Sequence, residues 1–380
     1  MPNPIYLDYN ATTPLDPRVF DVMKEWYLGP PANSGSRTHV YGQRAKDAVE
    51  HARAQVAEVV AGQPEEIIFT SGATESNNLA ILGLAAHGEA TGKKHIVSTA
   101  IEHKAVLEPL QFLSKKGFEI ELAPVCKGGY VDPDDLVRRV RDDTLLVSVM
   151  HANNETGIIQ PVKEIGEVLQ NKSPFFHIDA SQTFGKEDGL AGIKFDLLSA
   201  SSHKIYGPQG IGALVVKRRR NTRIPIACLV HGGGQERGLR PGTLPVALTV
   251  GFAKACEIAV IESQSRAACA LTVRKELLIG LQTVEYTING DSERCQGHVV
   301  NIRFPGVDSE ALLIEIRDAF SFSNGSACTS ESYNPSHVLT AMGLGEDHAN
   351  ESIRFSWGQG VLHVPLQSII NAVKDLSFEL

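Results

Sequence analysis

Short apolar runs alternate with longer amphipathic stretches through the first two thirds of the chain. Apolar runs bounded by turn-forming residues are typical of buried strands, and a spacing of three to four residues between apolar positions is typical of helices. We predict strands at 66–70, 95–98, 144–149, 175–178, 196–200 and 212–216, and helices at 44–61, 78–82, 104–116 and 162–170. Strands that alternate with helices favour an α/β fold with a mainly parallel sheet covered on both faces.

The pattern changes beyond residue 257. A helical stretch at 258–281 is followed by two segments, 299–304 and 352–356, in which apolar and polar residues alternate as in half-buried strands. Helices are predicted beside these strands at 309–317 and 366–376. We therefore predict a large domain at 15–257 and a small α+β domain formed by 1–14 and 258–380.

Composition and charge are those of an ordinary globular protein. The chain has 380 residues, of which 42% are hydrophobic and 21% charged, and its formal net charge is −8. This charge gives no general attraction to nucleic acid or anionic membranes. A basic run at 217–220 is interpreted as a solvated strand end, with a patch for nucleic acid or an acidic partner as the alternative. Without a visible secretory signal or an apolar stretch of about 18 residues, we expect a cytoplasmic protein that does not contact membranes.

The six cysteines form no CxxC pair and do not have the spacing of a zinc site. We expect reduced thiols, most of them small core residues, and no metal site. Cys328 differs because it lies among the small residues Asn324-Gly325-Ser326-Ala327 and Thr329-Ser330. A thiol in such a loop is a candidate nucleophile, although an incidental surface cysteine has the same sequence pattern.

A short turn, Ser71-Gly72-Ala73-Thr74, joins the strand predicted at 66–70 to the next helix. Gly72 permits a tight turn, the helix N-terminus offers free N–H groups, and Thr74 adds a hydroxyl. The turn is therefore a candidate phosphate cradle, with a simple helix N-cap as the alternative. Nucleotide motifs fit less well, because 88–94 lacks the P-loop spacing and 207–212 lacks the dinucleotide pattern.

Two charged residues follow apolar strands. Asp179 comes after 175–178, and a buried carboxylate there needs a partner such as a protonated pyridine nitrogen or an arginine. Lys204 comes after 196–200, and a lysine desolvated at the mouth of a sheet can be a Schiff-base nucleophile, although a single lysine is more often exposed. Together with the phosphate turn upstream, this order of residues predicts pyridoxal phosphate (PLP) as cofactor.

Eight segments in chain order resemble cysteine desulfurases of the class V aminotransferase group, of the IscS and NifS types. They are YLDYNATTP (6–14), FTSGATES (69–76), EHKAV (102–106), NNETG (153–157), HIDA (177–180), HKIYGP (203–208), HGGG (231–234) and GSAC (325–328). The resemblance implies a fold-type I PLP enzyme. Its large domain would contain a mainly parallel seven-stranded sheet, and its small α+β domain would carry the catalytic cysteine in a loop at about 323–335.

The resemblance also implies roles for individual residues. Lys204 would hold PLP covalently and move the substrate's α-proton, Asp179 would pair with the pyridinium nitrogen, and Cys328 would be the nucleophile. The other implied contacts are His103 stacked on the ring and able to carry a proton, Gln182 on the phenolic oxygen, Ala73, Thr74, Ser201 and His203 on the phosphate, Asn154 beside the cofactor and the substrate carboxylate, Arg354 on that carboxylate, Asn10 at the substrate, and Thr243 reaching the phosphate across a homodimer interface.

The implied reaction converts L-cysteine to L-alanine and leaves the sulfur as a persulfide on Cys328, which passes it to an acceptor protein. Iron–sulfur cluster assembly, tRNA thiolation and DNA phosphorothioation are the candidate pathways. The alternatives are a selenocysteine lyase or another class V aminotransferase, and a sulfur-relay or scaffold subunit without turnover. Ser202, Pro241 and Asn324 depart from the family pattern, but none of these departures removes a reactive group.

Overall fold

The structure is a computed structural model that describes residues 4–187, 189–219, 221–324 and 335–377. Its strands are β1 (Ile5–Tyr6), β2 (Ile67–Thr70), β3 (His95–Thr99), β4 (Glu119–Ala123), β5 (Thr144–Met150), β6 (Phe175–Asp179), β7 (Leu197–Ser201), β8 (Gly212–Val216), β9 (Arg218–Arg219), β10 (Thr222–Arg223), β11 (Thr287–Ile288), β12 (Val299–Arg303), β13 (Phe320–Ser321) and β14 (Ser352–Ser356). Its helices are α1 (Pro17–Leu28), α2 (Val40–Glu58), α3 (Ala73–Leu82), α4 (Ala85–Thr91), α5 (Lys104–Ser114), α6 (Pro133–Arg138), α7 (Val162–Leu169), α8 (Val246–Gly280), α9 (Ser309–Glu315), α10 (His337–Ala341), α11 (Glu346–Asn350) and α12 (Gln367–Ser377).

Seven of the described strands form the central sheet, in the order β2-β8-β7-β6-β5-β3-β4. Among them β8 alone runs against its neighbours, so the sheet is mainly parallel. This arrangement confirms the predicted α/β fold. Sequence reasoning missed β4, because this strand lies at the sheet edge and its two glutamates interrupt the apolar pattern.

Helices cover both faces of this sheet. On one face Val49 and Val56 of α2 and Phe252 of α8 share a buried cluster with strand residues. On the other face Leu79 of α3 and Leu110 of α5 do the same. Burying a large apolar side chain stabilises the fold by about 1.5–3 kcal/mol, so these two layers hold the strand ends in fixed positions.

Helix α8 runs for 35 residues through the predicted domain boundary at 257. Its first part packs against the central sheet through Phe252 and Cys256, and its later part packs into a second cluster through Val273 and Leu277. The division of the chain at 257 and 258 stays a prediction. In the part of the chain that the structure describes, no helix is both long and apolar enough to cross a membrane.

The second cluster surrounds a small antiparallel sheet in the order β11-β12-β14. The start of the chain joins this unit, because β1 pairs with β13 and Asp8 forms a bridge to Ser356 of β14. As a result, residues near position 10 and residues of β14 meet the carboxyl ends of the central strands from one side.

The described part of the basic run is tied to the protein surface. Lys217 pairs with Glu66 at 2.8 Å. The Arg219 guanidinium donates to the backbone carbonyls of Leu169, Lys172, Ser173 and Pro174. These contacts are those of a strand end that is fastened to the loop after α7, whereas Arg220 lies outside the described residues.

Candidate active site

A cavity of about 920 Å³ lies at the carboxyl ends of the parallel strands. Asp179 reaches it from the end of β6, Ser201 from the end of β7, and Arg354 enters from β14 of the small antiparallel sheet. In open α/β sheets this edge is where ligands bind. The predicted site residues that line the cavity are Asn10, Ala73, Thr74, His103, Asn154, Asp179, Gln182, Ser201, His203, Lys204 and Arg354.

Asp179 is a buried carboxylate, 4% exposed, at the floor of the cavity. The Asn77 side-chain amide donates to its Oδ2 at 2.7 Å. Ser181 donates to its Oδ1 through the backbone N–H at 2.9 Å and through the hydroxyl. These donors fix the carboxylate in place and offset the unfavourable burial of its charge. A cationic ligand group in the cavity would find a fixed anion here.

Lys204 ends a short 3-10 turn, Ser202–Lys204, that directly follows β7. Its half-buried amine donates to the backbone carbonyls of Asn10 at 2.5 Å and Ala11 at 2.8 Å. These two carbonyl acceptors belong to the chain start, so they hold the amine at the junction between that segment and β7. The structure therefore brings Lys204 and Asp179 to one cavity, as their positions after neighbouring strands predict.

The predicted phosphate turn lies at the N-terminus of α3. Gly72 is the N-cap and has φ +152°, a conformation that side chains disfavour. A methyl group at Gly72 would lie 3.6 Å from Ser201 Oγ, so the serine hydroxyl faces the first turn of the helix. The first N–H groups of a helix have no intrahelical acceptor. Together with the hydroxyl they form a site suited to a phosphate.

Two of the histidines that line the cavity, His103 and His203, have different surroundings. His103 is the N-cap of α5, and its Nδ1 accepts from Ala105 N at 3.1 Å, which leaves the proton on Nε2. Its ring is open to the cavity, yet desolvation by the surrounding wall lowers its pKa. His203 contacts Thr12 Oγ1 at 3.1 Å. Burial, with repulsion from Lys204 and Lys186, lowers the pKa of His203 to about 4, so this imidazole is neutral at pH 7.

Arg354 is the cationic group of the opposite wall and is 2% exposed. Its guanidinium donates to the Asn154 carbonyl at 3.0 Å and to the Asp8 carboxylate. These two partners hold the planar group in one orientation and leave further N–H groups for a ligand. Asn10 lies beside it and donates to the same Asn154 carbonyl at 3.0 Å. The arrangement suits a small carboxylate ligand.

Several buried polar atoms of the cavity wall have no hydrogen-bond partner among the described residues. They include Gln182 Oε1, Asn10 Oδ1 and Arg354 Nε. The Gln182 amide is held in place by its other atom, which donates to the Asn10 carbonyl at 2.9 Å. Since unpaired buried polar atoms are unfavourable, these atoms indicate a polar ligand for the cavity.

Three functional residues escaped sequence reasoning. Asn77 supports Asp179, Asp8 supports Arg354, and the buried Glu102 directly precedes His103 in the chain. Glu102 Oε1 accepts from Thr99 Oγ1 at 2.6 Å and from Met150 N at 2.9 Å, which ties the ends of β3 and β5 together. Burial raises the pKa of Glu102 to about 8. Asp8 and Glu102 lie within two of the resembling segments, which was the available signal, but Asn77 carried none.

Two residues predicted for the site, Thr243 and Cys328, are not among the described residues that line the cavity. Thr243 is exposed and does not line it, so its predicted contact with a phosphate stays a prediction that requires a second subunit. Cys328 lies outside the described residues. The departure at Ser202 is accommodated by its neighbour, because a side chain at Gly207 would collide with Ser202 Oγ.

Comparisons with known proteins identify the family of this chain. The family model described as aminotransferase class-V matches residues 5–359. The chain belongs to the aminotransferase class-V family. It is 47% identical to the cysteine desulfurase IscS of Vibrio vulnificus over 94% of this chain and 88% of that protein. It is 46% identical to a mitochondrial cysteine desulfurase of Arthroderma benhamiae over 98% of this chain and 74% of that protein. The solved structure of DndA from Streptomyces lividans is similar with a TM-score of 0.82, 47% identity, and coverage of 92% of this chain and 98% of that one.

Class V aminotransferases use PLP, which confirms the predicted cofactor. The cavity fits PLP in each of its parts. Lys204 offers an amine for the aldehyde, Asp179 offers an anion for the ring nitrogen, and Gly72 opens the α3 N-terminus to the phosphate. The unpaired Gln182 Oε1 offers an acceptor for a further polar group of the cofactor.

Proposed function

We propose that this protein is a PLP-dependent cysteine desulfurase that converts L-cysteine to L-alanine and holds the sulfur on Cys328. The observation that carries the proposal is the meeting of Lys204, Asp179 and Arg354 in one cavity. Identity of 46–47% to proteins named cysteine desulfurase over nearly the whole chain supports it further. The described chain on either side of residues 325–334 also supports it, because Ser323 pairs with Arg354 and Ser336 bonds to Glu155, and both partners line the cavity.

Bound PLP supplies an aldehyde that condenses with amines and a protonated ring that withdraws electrons from the carbon beside the bound nitrogen. Lys204 provides the amine that holds the cofactor and, once released, a base for the substrate's α-proton. Asp179 holds a positive charge on the ring nitrogen, since a fixed buried carboxylate favours the protonated form of its partner.

Arg354 binds the substrate carboxylate with its remaining N–H groups, with Asn154 and Asn10 beside it. His103 lines the cavity with its proton on Nε2 and would serve as the proton carrier beside the cofactor. The Cys328 thiolate then attacks the substrate sulfur. A sulfur–sulfur bond forms, the carbon–sulfur bond breaks with its electron pair going to carbon, and that carbon takes a proton as alanine forms.

The assembly and acceptor belong to the same proposal. We propose a homodimer in which Thr243 contacts the phosphate in the other subunit's cavity, which agrees with the exposure of Thr243. The acceptor would be a protein of iron–sulfur cluster assembly, tRNA thiolation or DNA phosphorothioation, and the location would be the cytoplasm. The candidate acceptors are the proteins encoded by neighbouring genes. Transfer of labelled sulfur from this protein to each of them distinguishes the pathways.

Alanine and sulfide release from L-cysteine tests the function directly. The PLP-loaded protein with a thiol reductant is expected to release both in equal amounts. Cys328→Ala should keep the cofactor absorbance and lose both products, whereas Cys126→Ala, which removes an exposed free thiol, should match the parent. Release of sulfide by Cys328→Ala at the parent's rate would refute the proposal. Transamination without sulfide would favour another class V aminotransferase, and turnover confined to selenocysteine would favour the lyase.

A further inference from the structure

Residues 335–337 are fastened to the wall of the cavity by two side chains. Ser336 is buried, and its hydroxyl donates to Oε2 of the buried Glu155. His337 Nε2 lies 2.9 Å from the Glu102 carbonyl oxygen. Because a carbonyl can only accept, Nε2 carries the proton of the His337 ring. Pro335, Ser336 and His337 all line the cavity.

Helix α10, which begins at His337, also holds residues 335–337 in place. Ser336 Oγ accepts from Leu339 N at 3.2 Å and so caps the start of α10. Val338 and Leu339 of this helix share a buried cluster with Ile101 and Met150, which lie at the ends of the central strands. This apolar cluster holds α10 against the ends of β3 and β5 of the central sheet. The two polar contacts therefore act at the N-cap Ser336 and at the first helical residue His337, both of which line the cavity.

The chain on the other side of residues 325–334 is attached to a different wall. Arg354 N donates to the Ser323 carbonyl at 2.7 Å, and Ser323 N donates to the Arg354 carbonyl at 3.4 Å. One flank of the stretch that contains Cys328 is thus joined to the strand of the carboxylate-binding arginine. The other flank is joined to Glu102 and Glu155, beside His103.

We propose that Ser336 and His337 are positioning residues for the sulfur-transfer step, acting through the chain that carries Cys328. This proposal rests on the proposed function. Neither residue is needed to hold the cofactor, because the contacts predicted for PLP come from other elements. Loss of either hydrogen bond should therefore slow the attack on the substrate sulfur without weakening binding of PLP or L-cysteine.

Matched variants separate this role from a structural one. His337→Phe keeps a ring but cannot donate to the Glu102 carbonyl, whereas His337→Gln keeps an amide N–H of similar reach. Ser336→Ala and Ser336→Thr form the second pair, with the hydroxyl lost or kept. The measurements are kcat and KM for L-cysteine, the single-turnover rate of persulfide formation on Cys328, PLP affinity and the unfolding midpoint.

His337→Phe and Ser336→Ala are expected to lower kcat and the single-turnover rate about tenfold, as loss of one hydrogen bond allows. KM and PLP affinity should stay within about twofold of the parent, and His337→Gln and Ser336→Thr should recover most of the rate. Unchanged rates in His337→Phe and Ser336→Ala would overturn the proposal. So would a loss of PLP in step with kcat, or equal losses in both members of a pair. An inactive parent that binds no PLP would instead reject the proposed function.

Discussion

At the residue scale, the carboxylate-binding role of Arg354 depends on a fork of N–H groups held by Asp8 and Asn154. A lysine at 354 would keep the charge but lose the paired donors. We expect Arg354→Lys to raise KM for L-cysteine about tenfold or more, with a smaller change in kcat. Arg303→Lys is the control, because Arg303 pairs with Glu351 away from the cavity. Equal KM values for Arg354→Lys and the parent would show that this arginine does not bind the substrate.

Glu102 makes stability depend on pH. Its pKa is about 8 in the folded protein and 4.5 ordinarily, because burial disfavours the charge. A raised carboxyl pKa contributes stability that is present below pH 4.5 and is lost as the pH rises to about 8. Glu102→Gln cannot ionise, so its free energy of unfolding should fall less over this range, by up to about 1.4 kcal/mol per pH unit. Urea unfolding at several pH values checks this, and parallel profiles of parent and variant would contradict it.

The site residues differ in how far sequence reveals them. Asp179 and Lys204 were predictable because charged residues directly after apolar strands collect at one sheet edge. Asn77 was not, because its contact with Asp179 joins a helix to a strand 102 positions later in the chain. The support of Arg354 by Asp8 likewise depends on the pairing of the chain start with the small sheet.

At the element scale, the N-terminus of α3 carries the phosphate cradle and depends on the backbone of Gly72. An alanine there would meet Ser201 Oγ only at an ordinary contact distance of 3.6 Å, but it must adopt φ near +152°. We expect Gly72→Ala to destabilise the protein by about 1–3 kcal/mol and to weaken PLP binding as the turn shifts. PLP titration and urea unfolding measure the two effects.

Gly92→Ala is the matched control for this change. Gly92 also has a positive φ, +72°, and nothing lies within 4 Å of an added methyl group, but it ends α4 away from the cavity. It should lose stability without loss of PLP affinity. If Gly72→Ala binds PLP as the parent does, the helix N-terminus is not the phosphate site.

The elements that the sequence did not predict well have separate physical causes. β4 is half exposed, so its alternating glutamates and apolar residues give no buried run. In α8 the apolar face turns from one core to another along the helix, and no single periodicity spans its length. Strands that are buried on both faces, such as β5, were predictable because their sequences are nearly continuous apolar runs.

At the scale of the whole molecule, the proposed homodimer makes each cavity depend on both subunits through Thr243. Thr243→Asp would place a negative charge beside the phosphate and should abolish PLP binding by repulsion. Lys204→Ala should be inactive for a different reason. Co-expression of the two variants with different tags yields heterodimers with one cavity that has both Lys204 and Thr243.

Heterodimers purified by both tags should regain about half of the parent's activity, because closed two-fold symmetry gives two equivalent sites. The two parental homodimers serve as controls. Inactive heterodimers, or full activity of Thr243→Asp alone, would contradict a shared site.

Reduction of the cofactor-loaded protein with borohydride, followed by peptide mass spectrometry, tests the central claim most directly, because it fixes PLP to the amine that holds it. Lys186 is the natural competitor, since burial and repulsion from Lys204 lower its pKa to about 7 and so favour its neutral, nucleophilic form. We expect the phosphopyridoxyl group on Lys204, its loss in Lys204→Ala, and its retention in Lys186→Ala. A cofactor attached to Lys186 or to any other lysine, with Lys204 unmodified, would show that Lys204 does not hold PLP.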